Sequence, residues 1–251
     1  MRFSETVRLD EPDLVISRRH ENWTLINDHP VYSHQALEFA RWALAKGDRE
    51  RSGTVSASSL GECLRYQQFV YAGMPKMLPS TQGAMRMLNG AFMHLRWQME
   101  GLTEGWLAEA EVPVPPNRYR MSGTMDGILD NGAVLELKSI NSNGFSRVAT
   151  FGPLIPHLYQ MATYLLCSGA SQGVFLYECK DNQEYAEIVV GRKDLPLQEA
   201  ADQAEALWTA IEGQSLYEPL EKCIDRDGYL YKSCPFRDRC LEIHSWEQVR
   251  G

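Results

Sequence analysis

Three side chains in the middle of the chain have the types and spacing to act on a phosphodiester. Residues 123–139 read GTMDGILDNGAVLELKS, and they hold Asp126 followed by Glu136 and Lys138. On a strand, alternate residues share a face, so Glu136 and Lys138 stand together while Leu135 and Leu137 face the interior. Two carboxylates can hold Mg²⁺ or Mn²⁺ against a scissile phosphate, where the metal acidifies its bound water. A neighbouring lysine can orient that nucleophile and offset developing negative charge.

This chemistry sets a condition on the turn between the strands. Asn131-Gly132 is a hairpin signal. A two-residue turn would pair Asp130 with Ala133 and leave Asp126 and Glu136 on opposite faces. The carboxylates share a face only if Asp126 opposes Glu136. That requires a three-residue loop (Asp130, Asn131, Gly132), with Gly132 left-handed, or a bulge at Gly127.

The rest of the pattern supplies elements to hold such a hairpin. Helices are expected at 33–46, 60–72, 82–100, 157–168 and 194–212, and strands at 106–114, 118–130, 133–140, 173–180 and 184–190. Ser59 with Glu62 forms a capping-box pattern for the second helix. His94 falls within the third helix, and Gln160 and Tyr164 share one face of the fourth. This order of elements implies an α/β unit with a small central sheet flanked by helices. A single domain is expected, with an N-terminal region to residue 80, a core over 81–212 and a tail over 213–251.

Composition narrows the function classes. The chain has 251 residues, 44% of them hydrophobic, and a net charge of −8. A protein that wraps duplex DNA would normally be basic, whereas an enzyme gripping a short stretch needs only a local basic lining. The N-terminus lacks the apolar stretch of a secretory signal, and no run spans a bilayer. A cytoplasmic location without membrane partners is therefore expected. In a reducing compartment six cysteines make an unlikely disulfide framework. Cys167 and Cys179 sit in apolar runs and read as buried thiols. Cys223, Cys234 and Cys240 cluster late, and Cys63 is the best fourth ligand for zinc or an iron–sulfur cluster.

The ordered set His94, Asp126, Glu136-x-Lys138 and Gln160-x-x-x-Tyr164 resembles the RecB-type branch of the PD-(D/E)XK nucleases. The resemblance implies a restriction-endonuclease-like core. It makes His94, Asp126 and Glu136 the metal ligands and Lys138 the catalytic lysine, with Gln160 and Tyr164 positioning DNA and the active-site strand. One cysteine before the core and three after it resembles the CRISPR-associated Cas-four family, the AddB nuclease domain and related phage exonucleases. That likeness implies a 4Fe-4S cluster on Cys63, Cys223, Cys234 and Cys240 that fastens the tail to the N-terminal helices. Ten residues separate Cys223 from Cys234 where the family commonly has two. The implied function is a metal-dependent exonuclease acting on DNA ends, single-stranded and 5′-to-3′, in recombination, repair or end processing. Trimming DNA for CRISPR spacer acquisition, and a silent cluster-bearing DNA-binding module in a larger complex, stand as alternatives. Relatives act as monomers, as rings or within recombination complexes, so a homo-oligomer stays open. Glu111 is a further candidate acidic ligand and Lys180 a candidate phosphate contact. Arg65, Tyr66 and Arg96 are candidates to line a single-strand channel.

Overall fold

A computed structural model describes residues 16–17, 19–20, 31–46, 55–61, 63–223 and 228–250. Its centre is a five-stranded mixed sheet in the order β2-β4-β5-β6-β7. The strands are β2 (Leu107–Pro113), β4 (Thr124–Leu129), β5 (Val134–Ile140), β6 (Gln172–Cys179) and β7 (Tyr185–Gly191). Only β5 and β6 run parallel; the other neighbours are antiparallel. The parallel step needs a crossover. Helices α4 (Ser142–Phe151) and α5 (Ile155–Ser168) provide it.

Alternation along the strands makes two apolar faces. Leu135, Leu137, Val174 and Leu176 face α3 (Thr81–Glu104), where Met93, Trp97 and Leu102 meet them. Val134, Phe175, Tyr177 and Cys179 face the other way, onto Met161, Ala162 and Leu165 of α5 and Phe145 and Val148 of α4. Helix α3 runs for 24 residues. Ser80 caps its start through the Gly83 amide, and Gly105 ends it in a left-handed conformation at φ 73°. Helix α1 (His34–Ala45) packs on the C-terminal half of α3, with Ser33 bonded to Thr103.

A second apolar core lies beside the sheet. It joins α2 (Leu64–Tyr71), α6 (Leu197–Glu212) and the C-terminal α8 (Arg237–Cys240) and α9 (Trp246–Arg250) around Phe69, Leu207, Phe236 and Trp246. A short helix α7 (Tyr229–Ser233) precedes them.

Several boundaries depart from the sequence expectation. The stretch expected as one strand over 118–130 divides. Its first part, β3 (Met121–Ser122), leaves the sheet and pairs in parallel with β1 (Val55–Ser56), a strand in the stretch between the first two expected helices. Ser59 does not cap α2; it closes a 3₁₀ turn, and Cys63 holds the N-cap position without a side-chain bond. Between them Gly61 adopts φ 79° against the Tyr159 ring, so the chain turns before the helix begins. Glu62 lies outside the described residues. Helix α4 was not expected from the pattern; it is ten residues long and buries only Phe145 and Val148.

The hairpin turn takes the three-residue form. Leu129 and Ala133 are joined by a 2.9 Å bond, Gly132 has φ 83°, and Gly127 opposes Leu135. Continuing that register sets Asp126 opposite Glu136. Gly127 has a different role from the bulge proposed for it. The irregularity falls in β2, between Leu107 and Glu109, and Gly127 lets β2 approach closely. A Cβ at Gly127 would stand 2.4 Å from Leu107 Cδ1 and 2.7 Å from the Glu109 carbonyl oxygen. Because one of those atoms is backbone, Gly127→Ala should lower stability by roughly 1–3 kcal/mol. A urea denaturation midpoint no lower than that of the wild type would contradict this close approach.

Candidate active site

The two strands carrying the carboxylates part company at the carboxylates themselves. The β4–β5 ladder pairs Ile128 with Val134 and Gly127 with Leu135. Beyond that, the Leu137 amide donates to Asp126 Oδ2 at 2.6 Å. A side-chain carboxylate therefore satisfies the amide in place of a strand carbonyl. Asp126 Oδ1 lies 3.2 Å from His94 Nδ1, which α3 carries across the end of the hairpin.

Glu136 and Lys138 sit side by side on β5, with Nζ 2.6 Å from Glu136 Oε1. Helix α5 closes the arrangement. Gln160 Oε1 accepts from Lys138 at 2.9 Å, and Gln160 Nε2 donates to Glu136 Oε1 at 2.7 Å and to the Tyr164 hydroxyl at 2.9 Å. The Tyr164 hydroxyl in turn donates to the Thr124 carbonyl on β4 at 2.9 Å. Both residues are buried, so α5 ties the two parted strands together through side chains.

Burial works to raise the Asp126 pKa, but His94, the Leu137 amide and Lys138 together hold it below the ordinary range. Glu136 goes the other way. Burial first, and the Asp126 charge second, push its carboxyl up to about 7 despite Lys138 and His94. Burial lowers the His94 pKa, and the Asp126 carboxylate more than reverses that, leaving it above the ordinary value. Tyr164 is held well above its ordinary value by burial and by the two carboxylates. Glu136 Oε2 is buried without a hydrogen-bond partner. A buried anionic oxygen with no donor is costly, and a divalent ion bound between Asp126 and Glu136 would relieve it. Among the described residues no group of three or more His, Cys, Asp or Glu side chains is arranged to hold one ion as it stands. In the acidic site the reason is geometric: Asp126 has turned to His94 and Leu137, and Glu136 Oε1 to Lys138 and Gln160.

Neighbouring groups differ from expectation. Glu111, at φ 54° on β2, is bonded to Lys46 at 2.5 Å and to Gln98 at 3.3 Å. Gln98, which the sequence reading missed, also donates to the Asp126 carbonyl at 2.8 Å. Lys180 is exposed just beyond β6. The channel residues are otherwise engaged. Arg65 is buried, with its guanidinium bonded to the carbonyls of Tyr217, Cys240 and Ile243. Tyr66 packs on Phe236, and Arg96 binds Glu178 and lies over Trp97.

The tail brings four thiols together. Cys63 begins α2, Cys223 ends a 3₁₀ turn, Cys234 follows α7 and Cys240 ends α8. Burial raises the pKa of Cys63, Cys223 and Cys234, and through these groups every pair among the four cysteines interacts electrostatically. Phe236 packs against Tyr66 and Phe69, and the Met77 amide donates to the Pro235 carbonyl at 2.9 Å. Cys179 is buried in the sheet core and Cys167 lies against the second core.

Among solved structures, the protein is similar to SSO0001, with TM-score 0.51 and 22% identity over 82% of this chain and 93% of that one. The alkaline exonuclease LHK-Exo from Laribacter hongkongensis aligns over 69% of this chain and 92% of that one, at TM-score 0.47 and 19% identity. Its complex with dAMP gives TM-score 0.42 and 18% identity, with coverage of 69% and 92%. Neither a family model nor a curated protein matches the chain. SSO0001 and this chain share a fold. None of the described helices is long and apolar enough to cross a membrane.

One residue beside the site escaped the sequence reading. His157, one turn before Gln160 on α5, has its Nδ1 2.8 Å from the Tyr177 hydroxyl. Burial first, and the Lys138 charge second, lower its pKa to about 3. An unfolded histidine titrates near 6.5. The neutral form is thus favoured on folding, and its stabilisation is complete above about pH 6.5 and is lost as pH falls from there toward 3. His157→Gln should remove part of the wild-type loss of stability between pH 7 and pH 5. Urea midpoints that fall equally in both proteins over that interval would rule this contribution out.

Proposed function

We propose that the protein is a divalent-metal-dependent DNA exonuclease of the PD-(D/E)XK type. The observation that carries this reading is the convergence of His94, Asp126, Glu136 and Lys138 around a buried carboxylate oxygen without a donor. Asp126, Glu136 and His94 would hold Mg²⁺ or Mn²⁺, the ions that oxygen-rich donor sets favour. When bound, such an ion supplies an acidified water and neutralises charge on the phosphate. The chain's own residues do the rest. Lys138, held between Glu136 and Gln160, offers its ammonium protons to the attacking oxygen or to the phosphate. Gln160 and Tyr164 keep Lys138 and Glu136 in place and tie the two strands together. The preference for single-stranded ends and the 5′-to-3′ direction rest on the resemblance to the Cas-four-type enzymes.

For the cysteines we propose a 4Fe-4S cluster on Cys63, Cys223, Cys234 and Cys240. The mutual interaction of all four thiols supports a shared ligand set. A single zinc ion draws four sulfurs to about 2.3 Å from one centre, whereas a cubane of iron and sulfide holds them farther apart. The absence of paired CxxC knuckles, with one cysteine before the core and three after it, favours the cluster. The packing of Phe236 on Tyr66 and Phe69, and the Arg65 bonds to tail carbonyls, give the cluster a mechanical role: fastening the tail to α2.

Two measurements test these readings. Purified protein should degrade linear single-stranded DNA only with Mn²⁺ or Mg²⁺. Asp126→Ala and Lys138→Ala should each lose at least about a hundredfold in rate while keeping the wild-type circular dichroism. Undiminished degradation by either variant would reject the assigned site. Anaerobically purified protein should be brown, with a broad visible absorption band and about four irons per chain, and Cys234→Ser should lose both. A colourless, zinc-bearing wild type would reject the cluster.

A further inference from the structure

The hydrogen bonds around His157 fix which of its nitrogens can donate. Tyr177 is fully buried, and burial raises its pKa, so the phenol stays protonated. Among the described residues its hydroxyl has no hydrogen-bond partner other than His157, and a buried phenol left without an acceptor would be costly. The phenol's own proton then points to His157 Nδ1, 2.8 Å away. A neutral imidazole that accepts at Nδ1 carries its single proton at Nε2. Among the described residues Nε2 has no hydrogen-bond partner, and it is not sealed from solvent.

The ring also stands in a definite place. Lys138 opposes Tyr177 across the parallel β5–β6 pair, so His157 lies one strand beyond Lys138, on the side away from Asp126. Strands are about 4.8 Å apart. A nucleic-acid backbone crossing the sheet from the carboxylates over Lys138 would therefore bring its next phosphate near this ring.

We propose that His157 is a substrate-binding residue, donating from Nε2 to a non-bridging oxygen of the phosphate adjacent to the scissile one, with Tyr177 setting its tautomer. This rests on the nuclease reading above. A donor fixed by a buried hydroxyl recognises a phosphate oxygen without adding charge. Its contribution is therefore a hydrogen bond rather than counterion release.

The test uses the full-length protein, Mn²⁺ and single-stranded oligonucleotides. Some carry one methylphosphonate, which replaces a non-bridging oxygen by methyl, at the linkage next to the cleaved one. His157→Ala should raise KM about tenfold with kcat nearly unchanged and with the same dependence of KM on salt as the wild type. The methylphosphonate should weaken the wild type about tenfold and leave His157→Ala unaffected. His157→Gln, which can still accept from Tyr177 and donate onward, should recover most of the loss. Tyr177→Phe should reproduce part of it, and serves if His157→Ala does not fold. An unchanged KM in His157→Ala, or equal sensitivity of wild type and variant to the methylphosphonate, would overturn the proposal. If the wild type degrades no DNA at all, it is the nuclease reading that fails.

Discussion

Two carboxylates withdrawn from water side by side repel each other, and most of the local structure follows from how that repulsion is contained. At an effective dielectric near 20, unit charges 4 Å apart interact by about 4 kcal/mol, enough to move a proton. The response here is asymmetric. Asp126 receives His94 and the Leu137 amide and is held ionised, while Glu136 keeps only the shared Lys138 and Gln160 contacts and is pushed up to about 7. A buried pair resolved in this way is poorly adapted to stability, because replacing it by apolar residues would often cost nothing. The divalent cation proposed for the site would supply the charge that the protein withholds.

The containment depends on breaking the sheet in a controlled way. A fully zipped hairpin would give the Leu137 amide to a backbone carbonyl and leave Asp126 with a water-facing role. Parting the strands instead puts the carboxylate into the ladder. The loss of pairing is made good from α5, whose Tyr164 reaches β4 and whose Gln160 reaches β5. The same helix carries His157 and, through Tyr159, presses on Gly61 just before the helix that starts at Cys63. The candidate active site and the segment leading to Cys63 thus pack against the same helix.

The hairpin could be read from the sequence because its constraint is local. Asn131-Gly132 marks the turn, and the demand that Asp126 and Glu136 share a face selects the three-residue loop. His94, Gln160 and Tyr164 were readable only as an ordered set, since each residue taken singly is ordinary on a helix. Arg65 misled for a physical reason: by residue type alone an arginine reads as a phosphate contact, yet its partners are three carbonyls more than 150 residues away in sequence. Gln98 and His157 carry no local signal at all, because their roles come from β-strand partners met only after folding. The division of the strand expected over 118–130 had the same origin, in a pairing with Val55–Ser56 that no short-range pattern encodes.

The distribution of positive charge bears on the DNA contact proposed for this molecule. Arg19 pairs with Asp130, Lys46 with Glu111, Arg96 with Glu178 and Arg120 with Glu212, and Arg65 is buried against carbonyls. These cations hold the protein to itself. With a net charge of −8, a long electrostatic footprint on duplex DNA would have to overcome the field of the whole molecule. A short contact faces no such barrier. In the proposed site a divalent ion, Lys138 and neutral donors would attract a phosphate only within a few ångströms, since charges farther away are screened. That favours a chain end, which can be threaded into one site, over an internal stretch that must be gripped along its length.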